Sequence, residues 1–411
     1  MEYEIIRLDN GIRAVFHRQS SPITHTCLVV NAGSRDEKEG KYGVAHFIEH
    51  LLFKQTERRS MQQILNYLES VGGDLNAYTT KEYTCIHASI LKPHLSRAVD
   101  LFEDIIFHST FPQEEMEKEK GVIADEMASY LDSPEESIID DYEDLIYKGS
   151  GLGHNILGLE EDLKGFQESD LREFMRDNYN TGEIVIGITG DYELGAVERM
   201  LRRYFGPVVS NTPVRSRGAT LPVIPQHVQV DKPINQVHYM LGGPAYGIHD
   251  ERKTGLLLLN NMLGGFGMSS ILNLSIREKY GIAYTIESNY SLFGDTGLFT
   301  VYLGTDPEKV ERAKKLVFKE LDRLKVKGVS EGQLKKAKHK FKGQIALAEE
   351  SRMSMIIAAA KNVMDYDRVI SLAEVFNKID QVSTGDLLDV AREVFDEGKL
   401  SSMSFLPEDQ E

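Results

Sequence analysis

The alternation of apolar and polar residues predicts a β-hairpin at the start of the chain. The segments YEIIRL and IRAVFHR flank the turn residues DNG, which is the usual order of strand, tight turn and strand. Two further apolar segments, HTCLVVNAG and EIVIGITGD, predict additional strands. Apolar residues at helical spacing predict helices over 43–54, 60–71, 93–108, 113–131 and 169–177.

A proline-rich stretch divides the chain near its middle. Five of the 12 prolines lie between Pro207 and Pro233, among Ser, Thr, Asn and Arg, as in a linker. Beyond it the first half is weakly repeated, since FPQEEMEKEKGVIADEM is echoed by VSEGQLKKAKHKFKGQI. The 411 residues are also too many for one ordinary core. We therefore predict an α+β protein of two duplicated domains, 1–206 and 236–411, each a mainly antiparallel sheet packed with helices, joined by a linker over 207–235.

The segment GVAHFIEHLLF, residues 43–53, is an apolar helical segment that carries three ionisable side chains. His46, Glu49 and His50 are spaced i, i+3 and i+4, so they share one face of the helix. Burying them without partners would be costly. Two histidines one turn apart can bind Zn²⁺, and the glutamate beside them can take a proton from a water that the metal activates. This is the H-x-x-E-H order; a face that simply meets solvent is the alternative interpretation.

The internal repeat indicates that the fold does not require these three groups. When Gly43 is aligned with Gly255, the matching positions of the second half carry only uncharged side chains: Leu258, Asn261 and Met262. The second half therefore forms the same helix without them, which favours a functional role for the histidines and the glutamate.

A further ligand is expected from the acidic segment that ends at residue 130. Its inward helical face, judged from apolar spacing, includes Glu119 and Glu126 among Met116, Ile123 and Tyr130. The two glutamates lie two turns apart, roughly 10 Å along the axis, so both cannot bind one ion directly. One would bind the metal and the other would orient a histidine. Periodicity does not decide between them, and two exposed members of an acidic helix are the alternative.

These motifs resemble the pitrilysin family of inverzincin metallopeptidases, which includes insulin-degrading enzyme and the mitochondrial processing peptidase. In this chain the H-x-x-E-H motif is followed by Glu126, 76 residues after His50, which is the family's spacing. The resemblance implies one Zn²⁺ per chain, bound by His46, His50 and Glu126. It implies that Glu49 is the catalytic base and that Glu119 contacts a histidine ligand from behind.

Two more segments carry the resemblance, which covers nearly the whole chain. GGDLNAYTTKEYT resembles the family's strand next to the metal, which implies that Asn76 and Ala77 hold the substrate backbone and that Tyr78 lies near a side-chain pocket. GGFGMSSILNLSIREKYGIAYTI resembles the second-domain segment whose arginine and tyrosine reach the reacting carbonyl. Here those residues are Arg277 and Tyr284.

The resemblance implies a zinc endopeptidase for peptides or unfolded segments, with two chains paired as a homodimer around a chamber. In the family's fused, double-length members, the arginine and tyrosine come from the half opposite the zinc. The alternatives are the catalytic chain of a heterodimer, a non-catalytic structural relative, and a different metal hydrolase that uses the same ligands.

Composition and charge exclude several other classes. A net charge of -17 argues against a nucleic-acid surface, which needs a basic patch. No apolar run approaches the roughly 18 residues that span a bilayer, and the start MEYEIIRLDNG lacks the pattern of a signal peptide. The two cysteines, Cys27 and Cys85, lie in apolar strands and are expected to be free buried thiols, which suits a cytoplasmic location.

Overall fold

The computed structural model describes residues 2–211, 217–218 and 220–408, so residues 212–216 and 219 of the predicted linker lie outside it. The strands are β1 (Tyr3–Arg7), β2 (Arg13–Arg18), β3 (Ile23–Val30), β4 (Asp74–Thr79), β5 (Thr84–Leu91), β6 (Ile184–Gly190), β7 (His227–Lys232), β8 (Val237–Ala245), β9 (Thr285–Leu292), β10 (Gly297–Thr305) and β11 (Ser401–Pro407).

The helices are α1 (Val44–Leu51), α2 (Met61–Glu69), α3 (Leu95–Phe107), α4 (Gln113–Leu131), α5 (Pro134–Tyr147), α6 (Glu160–Gly165), α7 (Glu168–Asn178), α8 (Leu194–Tyr204), α9 (Lys253–Leu263), α10 (Val310–Lys327), α11 (Glu331–Ala348), α12 (Arg352–Tyr366), α13 (Leu372–Gln381) and α14 (Thr384–Val394). A short π-helical turn covers Asn273–Glu278, and a single 3₁₀ turn covers Pro307–Lys309. No helix within the described residues combines the length and apolar character needed to cross a bilayer.

The elements predicted from periodicity are present. The hairpin is β1–β2, with Tyr3 opposite His17 and Arg7 opposite Arg13. The helix predicted over 113–131 has those bounds, and the other predicted helices are present as α1, α2, α3 and α7. α1 ends at Leu51 instead of 54 because the N–H of Lys54 bonds to the Leu51 carbonyl in a tighter turn.

The chain forms two compact units that are each discontinuous in sequence. The first unit contains Met1–Ala128, Asn155–Gly218 and Ala348–Ser371. The second contains Ser129–His154, Ala219–Leu347 and Leu372–Glu411. α5 therefore belongs to the second unit and α12 to the first. The domain limits of 1–206 and 236–411 describe the repeat in the sequence and stay a prediction.

The first unit contains a six-stranded sheet in the order β1-β2-β6-β3-β5-β4, antiparallel except for the pair β2–β6. One face packs on α1, α2 and α3, through alternate strand residues such as Leu28 and Ile86. The other face packs on α12, through the intervening residues such as Val29 and Cys85. Cys27 and Cys85 are free and buried, as predicted.

The second unit has the same plan. Its five-stranded sheet runs β7-β11-β8-β10-β9 and is antiparallel except for the pair β7–β11. α9, α10 and α14 cover one face, and α5 covers the other. Both units confirm the predicted α+β class with mainly antiparallel sheets.

Candidate metal centre

One glycine and one carboxylate hold the first turn of α1 in place. Gly43 has a φ of +95°, and a side chain there would lie 2.5 Å from the carbonyl oxygen of Leu157, so only glycine fits. The carboxylate of Glu37 accepts hydrogen bonds from the backbone N–H groups of Gly43 and Ala45, both at 2.8 Å. Negative charge is favourable at a helix N-terminus, where these N–H groups have no helical partner. The contacts fix the direction in which the polar face of α1 points.

That polar face carries His46, Glu49 and His50, as the spacing predicts. The two imidazole rings lie edge to face with their centroids 4.6 Å apart. His46 is only 8% exposed, and Glu49 and His50 are half-buried. The remaining residues of the helix pack into the apolar core of the first unit. The face is therefore turned into the protein and is not a solvated one.

Glu126 of α4 faces both histidines. Its Oε2 atom lies 3.8 Å from Nε2 of His46 and 3.6 Å from Nε2 of His50. The three candidate ligand atoms all lie within 4.8 Å of one another. Ligands about 2.0–2.2 Å from one tetrahedral Zn²⁺ lie about 3.3–3.6 Å apart, so the donor set fits the ion. Three protein ligands also match a catalytic zinc site, which keeps one position open.

Glu119 of α4 lies behind His50. Its Oε2 atom is 3.1 Å from Nδ1 of His50, and its Oε1 atom is 2.6 Å from Nζ of Lys54. When the Nδ1–H group of His50 donates a hydrogen bond to Glu119, Nε2 carries the free lone pair on the side of Glu126. The two glutamates that periodicity left open are therefore distinguished by the ring nitrogens that they approach.

Burial changes the titration of His46 and Glu49. It lowers the pKa of His46 to about 3, and the neighbouring His50 acts in the same direction. Burial also raises the pKa of Glu49 from its ordinary value; the charge of Glu126 acts in the same direction and the charge of His50 opposes it. A neutral imidazole is the form that binds metal. A carboxylate with a raised pKa is better suited to accept a proton near neutral pH.

Two polar atoms at this face have no protein partner among the described residues. Nδ1 of His46 and Oε2 of Glu49 are both buried and make no hydrogen bond there. Since most buried polar atoms are paired, an unpaired donor or acceptor in this position calls for a functional explanation. Oε2 of Glu49 belongs to the face where an attacking water would be held, whereas Nδ1 of His46 is the ring nitrogen remote from the candidate ligand atom Nε2.

The residues predicted to hold the substrate backbone lie in an edge strand. β4 is the last strand of the first sheet and pairs only with β5 among the described strands. In that pairing Asn76 lies opposite His87, and Ala77 lies opposite Ile86. The outer edge of β4 therefore presents backbone groups that can pair with another strand, and the N–H of Ala77 there donates to Oδ1 of Asn76 at 2.8 Å.

Tyr78 and Thr79 place this edge strand between a cleft and the metal centre. Tyr78 lines a cleft of about 640 Å³ together with Tyr83, His87 and several residues of α12. Thr79, the last residue of β4, lies near the carboxylate of Glu49. The predicted role of Tyr78 near a side-chain pocket for the substrate stays a prediction.

Arg277 and Tyr284 belong to the second unit, whereas the other predicted site residues belong to the first. Arg277 lies in the helical turn Asn273–Glu278, and its side chain is exposed. Tyr284 directly precedes β9 and is 53% exposed. Its hydroxyl donates a hydrogen bond to Oδ1 of Asp306 at 2.9 Å. Their role at a reacting carbonyl stays a prediction.

Sequence reasoning did not identify Lys54, Glu37 or Thr79. Lys54 could have been found, because it follows His50 by four residues within the predicted helix 43–54, a spacing that places two side chains on one face. Glu37 and Thr79 offer no such signal, because their roles depend on how a loop and a strand end pack against α1.

Two sheet-and-helix units, one of them with a histidine–glutamate donor set, define a metallopeptidase-like protein. The family model described as Insulinase (Peptidase family M16) matches residues 14–159, and the model described as Peptidase M16 inactive domain matches residues 165–341. A protein of Bacillus subtilis (strain 168), the uncharacterized zinc protease YmxG, is 32% identical over 392 residues, 94% of each chain. This chain belongs to peptidase family M16, and the resemblance to the pitrilysin family is confirmed.

Other comparisons agree with this family. An uncharacterized zinc protease of Streptomyces coelicolor is 30% identical over 407 residues, covering 97% of this chain and 88% of the relative. A protease from Helicobacter pylori has a TM-score of 0.92 at 20% identity over 99% of both chains. A peptidase M16 inactive domain from Pseudomonas fluorescens has a TM-score of 0.91 at 18% identity, over 99% of this chain and 98% of that one. At these identities the solved structures establish a shared fold.

Proposed function

We propose that this chain is a zinc-dependent endopeptidase that cleaves peptides or unfolded polypeptide segments. The observation that carries the proposal is the convergence of Nε2 of His46, Nε2 of His50 and Oε2 of Glu126, with Glu49 on the same helical face. These three ligands would hold one Zn²⁺ per chain. The ion, when bound, polarises the scissile carbonyl and lowers the pKa of the attacking water toward about 7.

Glu49 is assigned the transfer of protons. Its carboxylate takes a proton from the attacking water and later passes it to the leaving amine. The burial that raises its pKa also strengthens its attraction for that proton. Glu119 holds the Nδ1–H of His50, which keeps the Nε2 lone pair available for the metal.

The substrate is assigned to the open edge of β4. A peptide that pairs there as an added strand would bond to backbone groups beside Asn76 and Ala77, so recognition would depend little on sequence. The same strand ends at Thr79, next to Glu49. A peptide bond at that end of the added strand would therefore lie beside the base.

We also propose that the working protein is a homodimer in the cytoplasm. Family resemblance supports the assignment of Arg277 and Tyr284 to the metal centre of a second copy. There they would stabilise the oxyanion or hold the substrate. The two free thiols favour a reducing compartment. A heterodimer is the alternative, and activity of the purified chain alone would exclude it.

Glu49→Gln tests the proposed chemistry. An amide cannot accept the proton, so cleavage should fall by about 10²–10⁴-fold, while zinc measured by elemental analysis stays near one per chain. The matched control is Glu114→Gln on α4, whose carboxylate is 82% exposed and pairs with Lys118, and it should cleave normally. If Glu49→Gln keeps a tenth of the wild-type rate, Glu49 is not the base. Wild-type protein without zinc would refute the metal site itself.

Mixing two inactive variants tests the shared site. Tyr284→Phe should lose roughly 10²–10³ in rate if Tyr284 donates to the oxyanion. In a mixed dimer of Tyr284→Phe with Glu49→Gln, one site carries both defects and the other carries neither. Equal mixing with free exchange makes about half the dimers mixed, so about a quarter of wild-type activity should return. If native mass spectrometry detects mixed dimers and no activity returns, Tyr284 does not serve the partner's site.

A further inference from the structure

The hydroxyl of Tyr284 is already engaged within the second unit. It donates to Oδ1 of Asp306 at 2.9 Å, and Oδ2 of Asp306 lies 2.5 Å from Nζ of Lys309. The bond to Asp306 raises the pKa of Tyr284, and Lys309 acts in the opposite direction. The phenol thus lies at the end of a three-member chain of tyrosine, aspartate and lysine.

Backbone hydrogen bonds at the end of a β-hairpin hold these residues together. Tyr284 directly precedes β9, and Asp306 directly follows β10. The two strands are antiparallel neighbours, and Thr285 of β9 lies opposite Gly304 of β10. The N–H of Tyr284 bonds to the carbonyl of Gly304 at 2.9 Å. The hydroxyl of Thr305 bonds to the carbonyl of Ile282. The contact between Tyr284 and Asp306 is therefore built into the end of the hairpin.

The side chain of Asp306 is not needed to cap the turn that it begins. Its backbone carbonyl accepts the N–H of Lys309 at 3.0 Å. Its carboxylate makes no capping hydrogen bond to the backbone of the turn Pro307–Lys309. Aspartate at such a position usually serves as a cap. Here the carboxylate is committed to Tyr284 and Lys309 instead.

A phenol has one proton and can donate it to one acceptor at a time. We infer that Asp306 is a positioning residue that holds Tyr284 away from the reaction, and that Lys309 weakens this hold by neutralising Asp306. The inference rests on the proposed role of Tyr284 as a donor to the oxyanion. Tyr284 must release Asp306 before it can donate to a substrate, so the carboxylate competes with catalysis.

Substitutions of the two partners should have opposite effects on cleavage of a fluorogenic peptide. Asp306→Ala should raise kcat/KM about three- to tenfold, because the competing charged acceptor is gone. Asp306→Asn, which keeps the size of the side chain, should raise it less. Lys309→Met should lower kcat/KM about two- to fivefold, because an unpaired carboxylate binds the phenol more tightly.

The matched control is Asp322→Ala on α10. Asp322 pairs with Lys325 at 2.8 Å with the same i, i+3 spacing, and its loss should leave kcat/KM unchanged. If Asp306 has a purely structural role, its substitution should lower kcat/KM or leave it unchanged. The inference is overturned if neither Asp306→Ala nor Asp306→Asn raises kcat/KM. In a Tyr284→Phe background, Asp306→Ala should have no effect. If Tyr284→Phe alone is fully active, the proposed role of Tyr284 is wrong. This result distinguishes an error in the role of Tyr284 from an error in the role of Asp306.

Discussion

α1 and α9 occupy corresponding places in the repeat but carry different side chains on the matching face. Each helix packs beside the edge strand of its own sheet, α1 on β4 and α9 on β9. α1 presents two histidines and a glutamate, whereas the aligned positions of α9 carry Leu258, Asn261 and Met262. Leu258 is fully buried in the apolar core of its unit. The same architecture therefore accepts either a polar or an apolar face at this helix.

The second helix of each half extends the comparison. Aligning the repeated segments places Gln344 of α11 opposite Glu126 and Ala337 opposite Glu119. In the second unit the amide of Asn261 donates to Oε1 of Gln344 at 2.8 Å. A direct hydrogen bond between neutral amides thus joins the two helices there. In the first unit the matching positions carry carboxylates near two imidazoles, an arrangement that a cation would stabilise.

The largest effect is expected when the first unit receives the residues of the second. His46→Leu with His50→Met should abolish zinc binding and reduce cleavage at least about a thousandfold, because two of three ligands are lost. The metal-free protein should stay folded, since the aligned helix of the second unit carries the same leucine and methionine. Elemental analysis and thermal unfolding check both outcomes.

The reciprocal change is the control for this exchange. Leu258→His with Met262→His should not create a zinc site, because Gln344 and Ala337 supply no carboxylate there. Stoichiometric zinc in the His46→Leu/His50→Met variant would refute the ligand assignment.

A smaller effect is expected from Glu119→Gln. The amide holds the Nδ1–H of His50 less strongly than a carboxylate does, so zinc affinity should fall about 10–100-fold. Competition with a chromogenic chelator measures this change. Glu117→Gln on the same helix, where the carboxylate pairs with Lys120 at 2.9 Å, should keep wild-type affinity. Equal affinities for the two variants would show that Glu119 does not support His50.

The pH dependence of stability in the metal-free protein should reveal the burial of His46. Its pKa is lowered to about 3 when folded, so between about pH 6.5 and 3 the unfolded chain binds a proton that the folded chain does not. The free energy of unfolding therefore decreases as pH falls, by about 1.4 kcal/mol per pH unit within that window. His46→Leu should show a slope smaller by this amount in urea unfolding. Equal slopes would mean that the imidazole is accessible to protons.

The smallest effect is expected in the second unit. Asn261→Leu removes the hydrogen bond to Gln344 but also removes the amide oxygen of Asn261, which is buried without a partner among the described residues. The two effects oppose each other, so the free energy of unfolding should change by no more than about 1 kcal/mol. Zinc content and cleavage should stay normal. A loss of either would show that the amide pair supports the metal centre.

Local spacing was enough to predict the helices and the shared face of His46, Glu49 and His50. Helical periodicity depends only on the order of residues, so the sequence determines which side chains share a face once the helix forms. The repeat added a second local argument, because Leu258 and Met262 show which residues the scaffold itself accepts. The same periodicity put Glu119 and Glu126 on one inward face of α4 but could not assign either one.

Only the tertiary structure decided which atoms meet. It placed Glu126 at the Nε2 atoms and Glu119 at Nδ1 of His50, with Lys54 behind it. It also made β4 an edge strand and assigned α5 and α12 to the sheets of the opposite halves of the sequence. These features depend on contacts between residues far apart in the chain. A one-dimensional pattern fixes the direction of a side chain around its helix, but the partner that it meets depends on how the elements pack.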